Sequence, residues 1–373
     1  MHEWCVYDVE TTTFFDGDPY YDENTLCLVG TNYPGHSQIY LPDTPIPVEC
    51  DLLIGFNLKF DLHWRDRCNI PIQFRRVWDC QLVHYLLQHQ KTVMPSLNEV
   101  LEYYKLPSKM DYIKELWDHG VDSRDISLDL FSEYLTVDLE RTYEVFLRQY
   151  DEVLKRDKPF QNLVSLCNQD LLALCDMEEN GMLYNEERSF ELGYQAQERI
   201  DEIDKQIKDL LDFPHFKASS SEHKSASLYG GVARYDGKEV RQRVLKSGEV
   251  KCREVNCTLE QQLPKLIEPL ENTQAAKEGY WSVAEPVLST LIKKSNGTAK
   301  QLIVLYLERA KLAKFVDTYA WGLPKMIKEY KWKDSIIHGR YNQVVTGTGR
   351  LSSSKPNKQN LDGKIQECFI TRF

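Results

Sequence analysis

Glu3-Trp4-Cys5-Val6-Tyr7-Asp8-Val9-Glu10-Thr11 combines an apolar run with alternation of polar and apolar residues, the pattern of a strand entering a protein interior. Asp8 and Glu10 stand at its end, two residues apart, so both side chains leave the same face. Short β-branched or apolar runs at Thr25–Thr31 and Ser37–Leu41, bounded by Gly and Pro, read as adjoining strands. Leu52-Leu53-Ile54 reads as a buried strand that Gly55-Phe56-Asn57 turns into a helix carrying Asp61. Asp79 is placed to cap a helix over Gln81–Gln88, and Ser96 with Glu99 forms a capping box for Leu97–Tyr104. From Leu128 to Tyr150 apolar residues recur at helical spacing, which puts Tyr134 and Asp138 on one face. Strands followed by helices make this an α/β region.

The chain has 373 residues, long enough for two or three domains. With 42% apolar and 28% charged residues its composition is that of an ordinary globular protein. No apolar stretch approaches the ~20 residues that span a membrane, and Met1-His2-Glu3-Trp4 lacks the order of a secretory signal. The ten cysteines form no CxxC pair, and Cys252 and Cys257 are too isolated to suggest zinc. Reduced thiols and a cytoplasmic location are expected, with no membrane partner. The net charge is −11, but its distribution is uneven. Residues 1–60 hold ten acidic residues and one basic, Lys59, whereas 331–373 hold eight basic and three acidic. The first pattern suits a carboxylate site awaiting cations and the second a surface that grips phosphate.

Lys155–Pro159 reads as a polar break and a domain boundary. The second region is mainly helical: Phe160–Glu179 is amphipathic and stops at Asn180-Gly181, and Asn185 begins a long charged helix reaching about Leu211. Ala299–Tyr330 reads as another long helix, kinked at Pro324. Between them, 212–295 reads as irregular, with Gly230-Gly231 and a possible hairpin from Val240 to Cys257.

Asp8, Glu10, Asp61 and Asp138 supply carboxylates from three separate segments, the donor type that hard cations such as Mg²⁺ take. Two such ions about 4 Å apart can activate a water and stabilise a leaving oxygen on either side of a phosphate. Asp8-Val9-Glu10-Thr11, Asn57-Leu58-Lys59-Phe60-Asp61 and Tyr134-Leu135-Thr136-Val137-Asp138, in that order, resemble the proofreading 3′→5′ exonucleases of the DEDDy class. Position 133 is Glu rather than the histidine of the DEDDh class, in keeping with the tyrosine subclass. The resemblance implies a ribonuclease H-like domain in which Asp8, Glu10 and Asp138 hold one divalent ion (Mg²⁺ or Mn²⁺). It also implies a second ion held by Asp8 and Asp61, and a water oriented by Tyr134. Thr11, Thr12, Asn57 and Phe60 fall where family members contact the 3′ end of a single strand.

Thr346-Gly347-Thr348-Gly349-Arg350-Leu351-Ser352-Ser353-Ser354-Lys355-Pro356-Asn357-Lys358-Gln359-Asn360-Leu361 resembles a hallmark segment of family A DNA polymerases. Its hydroxyls and amides suit close approach to phosphates, and Arg350 can donate to minor-groove acceptors that every base pair presents. Lys355 and Lys358 depart from the commoner Asp and Leu. Met177–Met182, Ser221–Lys224 with Leu228–Gly231, and Lys311–Lys314 with Thr318-Tyr319 resemble thumb segments, the middle one of phage type. The resemblance covers nearly the whole chain, most weakly over 232–295. It implies an exonuclease domain over 1–158, a helical thumb over 159–335 and the opening β part of a palm over 336–373. Duplex DNA is then expected to meet Lys311, Lys314, Thr348, Arg350, Ser353, Asn357, Gln359 and Asn360. No palm aspartate motif follows, so the expectation is a proofreading subunit of a split, phage-type polymerase in a host cytoplasm, with a portion cut from a longer polymerase chain as the other reading. A second polypeptide would carry palm and fingers, its strands covering an unpaired edge and the side chains of Val344, Val345, Phe369, Ile370 and Phe373. A DNA-clasping scaffold and an RNA-trimming relative are the alternatives.

Overall fold

A computed structural model of the chain describes residues 1–109, 112–244 and 250–372. Two compact units divide it, one comprising Met1–Glu186 with Leu323–Phe373 and the other Glu187–Gly322. The first unit is built on β1 (His2–Thr11), β2 (Leu26–Tyr33), β3 (His36–Tyr40), β4 (Val48–Gly55) and β5 (Ile72–Asp79), in the order β3-β2-β1-β4-β5. β1 runs antiparallel to β2 and parallel to β4, and β4 runs parallel to β5, so the sheet is mixed. The fifth strand escaped the sequence reading because Arg75 and Arg76 interrupt its apolar run; it is an edge strand, where exposed charge discourages pairing with another chain.

Among the described residues, helices α1 (Leu58–Arg67), α2 (Cys80–Leu87), α3 (Leu97–Tyr103), α4 (Tyr112–Asp118), α5 (Leu128–Leu154) and α6 (Lys158–Asn180) accompany the sheet. One buried carboxylate begins two of them. Asp79 Oδ1 accepts from the amides of Gln81 (2.8 Å) and Leu82 (3.2 Å) at the start of α2, and from Asn57 (3.2 Å). Its Oδ2 accepts from Leu58 at the start of α1 (2.9 Å). Four otherwise orphaned donors are thus met by one side chain. Asp79→Ala is expected to cost about 2–4 kcal/mol, read as a lower urea midpoint, and to blur the placement of Asp61 on α1.

The core of this unit takes in Val164, Leu171 and Cys175 of α6. Lys155–Pro159 is a turn between two helices that share this core, and the compact units part at Glu186–Glu187. The apolar stripe of α6 needs cover, and the sheet domain supplies it. β6 (Met182–Tyr184) follows.

The second unit contains α7 (Glu186–Leu211) and α8 (Ser221–Tyr229). It continues with β7 (Gly230–Val244), β8 (Val250–Lys265), α9 (Glu285–Leu291) and α10 (Gly297–Lys314), around a core of its own. The stretch read as irregular thus holds a two-stranded ribbon paired from Gly231↔Leu263 to Val244↔Val250, longer than the expected Val240–Cys257 hairpin. Its period-two signal is thin: Val255, Cys257, Leu259 and Leu263 alternate with polar residues along β8, but Gln261 interrupts them and β7 answers with only Ala233 and Tyr235. Residues 245–249 of that hairpin lie outside the described residues. The long helix expected over Ala299–Tyr330 is broken earlier than Pro324: residues Phe315–Ala320 wind as a π-turn, and Trp321 donates to Val316 O at 2.9 Å. Pro324 lies in the first turn of α11 (Gly322–Glu329), where its missing amide costs no hydrogen bond.

The chain then returns to the first unit with β9 (Ile336–Ile337), β10 (Arg340–Asn342), β11 (Ser352–Ser354) and β12 (Phe369–Ile370). β6 lies between β12 and β9, and β10 pairs with β11. Of the apolar side chains expected to lack a core, Val344 is buried in the first core and Phe369 packs on Tyr184 with ring centroids 5.0 Å apart. Val345 and Ile370 stay exposed, at 39% and 46%. Phe373 lies outside the described residues. Among the described residues no helix is long and apolar enough to cross a membrane.

Candidate metal centre and nucleic-acid surface

Asp8 faces Gly30 across the β1–β2 ladder, and directly opposed residues share a face of the sheet. A Cβ on Gly30 would lie 2.8 Å from Leu139 Cδ1 and 2.9 Å from Leu135 Cγ. The missing side chain lets α5 lie close against this strand, which delivers Tyr134 and Asp138 to the two carboxylates of β1. Asp8, Glu10 and Asp138 each offer an oxygen, and these atoms lie within 4.8 Å of one another. Asp61 approaches from α1: its Oδ1 accepts from the Val9 amide at 3.1 Å, beside Asp8 Oδ1, which accepts from the same amide at 3.0 Å. Asp8, Glu10, Asp61 and Asp138 all line a cavity of about 820 Å³, together with Asn57 and Phe60.

Burial, with the charge of Asp138 next, pushes the Asp8 carboxyl up to about 7. Burial and then Asp8 hold Glu10 well above the usual carboxylate range, and the same two causes act on Asp61. Burial and Asp138 likewise raise the Tyr134 phenol. Carboxylates crowded this closely repel one another until cations join them, so the donor set fits divalent metal ions. Because the folded values exceed the unfolded ones near about 4, the cluster favours folding at low pH and loses that contribution as pH rises through about 7. In EDTA, the wild-type melting temperature is expected to fall between pH 5 and pH 8.5 by a few degrees more than that of Asp8→Asn, on the order set by ~1 kcal/mol. Mg²⁺ should recover the difference.

The remaining expected strand contacts divide. Asn57 is exposed and Phe60 half-buried. Thr12 is fully buried, its hydroxyl donating to Asn24 Oδ1 at 2.9 Å and accepting from the Thr25 amide at 2.9 Å. Thr11 is buried, with its hydroxyl on Thr12 O. These two threonines shape the turn after β1 instead of presenting their hydroxyls to a strand. Lys109 and the α4 residues Lys114 and Trp117 also line the cavity, and no motif spacing singles them out.

In the polymerase-like segment, Thr348 and Arg350 are exposed on a loop closed by Thr346 Oγ1 donating to Arg350 O at 2.7 Å. Tyr85 of α2 donates to Thr346 O at 2.6 Å, and Met94 N to Val344 O at 3.0 Å, so the first unit carries this loop. Ser353 is buried and its hydroxyl accepts from the Lys358 amide at 2.6 Å, which makes it a turn organiser. Asn357 caps a short helical turn through the Gln359 amide (3.1 Å), and the Gln359 side chain donates to Leu351 O (3.0 Å). Asn360 is exposed, as are Lys311 and Lys314, which lie in the other unit. Four of the basic residues read as phosphate-gripping meet carboxylates of one acidic loop. Lys331 meets Glu23, Lys333 meets Asp22 (3.2 Å), Arg340 meets Asp18 (3.2 Å) and Lys355 meets Asp16 (2.6 Å). The basic C-terminal part complements the acidic 16–23 loop, a pairing that composition alone cannot distinguish from affinity for phosphate. Lys358 lies 4.1 Å from the centroid of the Tyr341 ring, and burial lowers its ammonium to about 8.

Residues 234–372 match a family model described as DNA polymerase family A. DNA polymerase I of Streptococcus pneumoniae serotype 4 is 36% identical over 108 residues, 29% of this chain and 11% of that protein. The thermostable DNA polymerase I of Thermus filiformis is 35% identical over 100 residues, 25% of this chain and 11% of that protein. The chain spans about a tenth of the length of these curated relatives. The POL domain of Pol1 from M. smegmatis, solved in complex with DNA primer-template and dNTP, shares the fold with a TM-score of 0.64. Its sequence identity is 13%, over 98% of this chain and 54% of that one. Through residues 234–372, this chain is related to the family A DNA polymerases.

Proposed function

We propose that the chain is a 3′→5′ exonuclease acting on DNA ends, the proofreading and thumb portion of a family A polymerase. Its first unit is read as a ribonuclease H-like domain. The observation that carries this reading is the meeting of Asp8, Glu10 and Asp138, with Asp61 alongside, at one cavity. When bound there, two Mg²⁺ (or Mn²⁺) ions held by Asp8, Glu10 and Asp138 and by Asp8 and Asp61 would supply an activated water and a stabilised leaving oxygen. Phe60 offers a ring on which a terminal base can stack, and the exposed Asn57 a hydrogen-bonding amide. Tyr134 presents a hydroxyl beside Asp138 that can orient the attacking water.

The functional regions are proposed as exonuclease 1–158, thumb 159–335 and palm opening 336–373, laid over the compact units described above. The groups that polymerise are proposed to come from a second, phage-type polypeptide in the host cytoplasm. Among the described residues, β9 and β12 are the outer strands of their sheet, and exposed Val345 and Ile370 give such a partner apolar surface.

The reading is tested by incubating 3′-labelled single-stranded DNA and RNA of one sequence with the protein, with Mg²⁺ or with EDTA. Mg²⁺-dependent loss of the DNA label, at least about tenfold faster than that of RNA, supports it. Faster loss from RNA points to an RNA-trimming enzyme, and no loss from either to a DNA-clasping scaffold. Arg350→Ala should leave digestion of short single strands within about twofold of wild type. It should weaken primer–template binding about tenfold, the value of one lost charged contact of ~1.4 kcal/mol. Equal losses on both substrates in a binding titration would assign Arg350 to the nuclease site or the fold.

A further inference from the structure

Lys109 belongs to none of the three carboxylate motifs, yet its ammonium stands among their side chains. Nζ donates to Asp138 Oδ2 at 2.7 Å and to the Tyr134 hydroxyl at 2.7 Å, and lies 4.9 Å from the centroid of the Tyr134 ring. The backbone amide of Lys109 donates to Asn98 Oδ1 at 3.1 Å, which ties this residue to α3 beside the cavity. An ammonium only donates hydrogen bonds. The Tyr134 oxygen is therefore the acceptor in their contact, and its own proton is turned away from the lysine. Asp138 is also one of the three carboxylates whose oxygens converge, so the lysine and a bound dication draw on the same side chain.

We infer that Lys109 is a positioning residue of this site, holding Asp138 and Tyr134 in place before a dication binds and keeping the Tyr134 hydroxyl oriented afterwards. The inference rests on the metal-dependent reading of the carboxylates. A flexible four-carbon stem lets the ammonium yield Asp138 to a divalent cation while staying on the phenol oxygen. Two opposed consequences follow. The lysine competes with the cation, so removing it tightens metal binding. It also fixes the Tyr134 hydroxyl, so removing it slows turnover by way of that tyrosine. A lysine that merely neutralised buried carboxylates would show the first effect without the second.

The experiment uses the full chain as wild type, Lys109→Met, Lys109→Arg, Tyr134→Phe and the Lys109→Met/Tyr134→Phe pair. Mn²⁺ binding is followed by electron paramagnetic resonance of the free ion, and digestion of single-stranded DNA gives kcat and KM at saturating metal. Lys109→Met is expected to bind Mn²⁺ about tenfold more tightly, the effect of one competing charge at close range. Its kcat should fall at least about tenfold with KM little changed, as the loss of one orienting group predicts. Lys109→Arg should restore most of kcat. In the Tyr134→Phe background the methionine should add less than about threefold, because both changes remove the same function. Unchanged or weaker Mn²⁺ affinity in Lys109→Met, or a full additive loss in the double variant, overturns the inference. A wild-type chain that binds no Mn²⁺ overturns the metal reading and this inference with it, a result distinct from normal wild-type binding with no gain in the variant.

Discussion

Alanine at Asp8 or at Asp138 is expected to reduce Mg²⁺-dependent digestion of single-stranded DNA to less than about a hundredth of the wild-type rate. Each change removes one of three carboxylates whose oxygens lie within 4.8 Å of one another, and Asp8 also borders Asp61. Losing either should therefore cost far more than losing one hydrogen bond. The fold should survive: the Asp8 carboxyl is raised by burial and by Asp138, so its removal relieves strain in the apo protein. In EDTA near pH 8, Asp8→Ala should melt at the wild-type temperature or above it. Tyr134→Phe should be milder, because it takes away an orienting hydroxyl and no metal donor. Retention of more than about a hundredth of the rate in Asp8→Ala would remove the two-metal reading.

Glu178→Ala is expected to have the largest effect on stability, about 3–5 kcal/mol. Glu178 lies at the end of α6 and is 3% exposed. Its carboxylate meets Lys59 and His63 of α1, with His63 Nε2 at 2.8 Å, and accepts from the Tyr341 amide. The Glu178 carbonyl also accepts from His338 Nδ1 at 2.9 Å, and His338 stacks on Tyr20 with centroids 3.9 Å apart. Truncation leaves the half-buried Lys59 ammonium with only the Tyr341 carbonyl, and takes the acceptor from the Tyr341 amide. Burial opposes ionisation of Glu178, but His63 and Lys59 outweigh it and hold the carboxyl below its usual value. A depressed folded value means that this stabilisation is present above the unfolded pKa and fades as pH falls through the folded one. Urea denaturation at pH 7 and at pH 4 checks both points, with the gap between wild type and Glu178→Ala narrowing at the lower pH. Limited proteolysis should open 336–372 first in the variant. A midpoint shift worth less than about 1 kcal/mol would show that the cluster is a surface network of little energetic weight.

The elements that carry the candidate metal centre were legible because their signals are local. Asp8 and Glu10 ride on a strand recognisable from its own alternation, Tyr134 and Asp138 on a helix recognisable from its own period, and Asp79 stands where a cap belongs. The ribbon of β7 and β8 was largely hidden, since only its base, at Ala233 and Leu263, enters the core and the charged residues beyond leave a weak alternation. The break at Phe315–Ala320 was hidden by the stronger signal of Pro324, which is harmless within a first turn.

By itself, the sequence determined the mixed α/β character of the first region, the order of the carboxylate motifs and the polymerase-like reading of 346–361. Each motif is a local signal, carried by residues within a few turns of one another. The tertiary structure alone decided that α6 and 323–372 join the first unit, and that Lys331, Lys333, Arg340 and Lys355 answer the acidic 16–23 loop. It also decided that Glu178 is buried between Lys59, His63 and Tyr341, and that Lys109 reaches Tyr134 and Asp138. Charges give no directional mark along a chain. Lys355 and Asp16 are 339 residues apart, and only the path of the folded backbone selects that partner from among all the others.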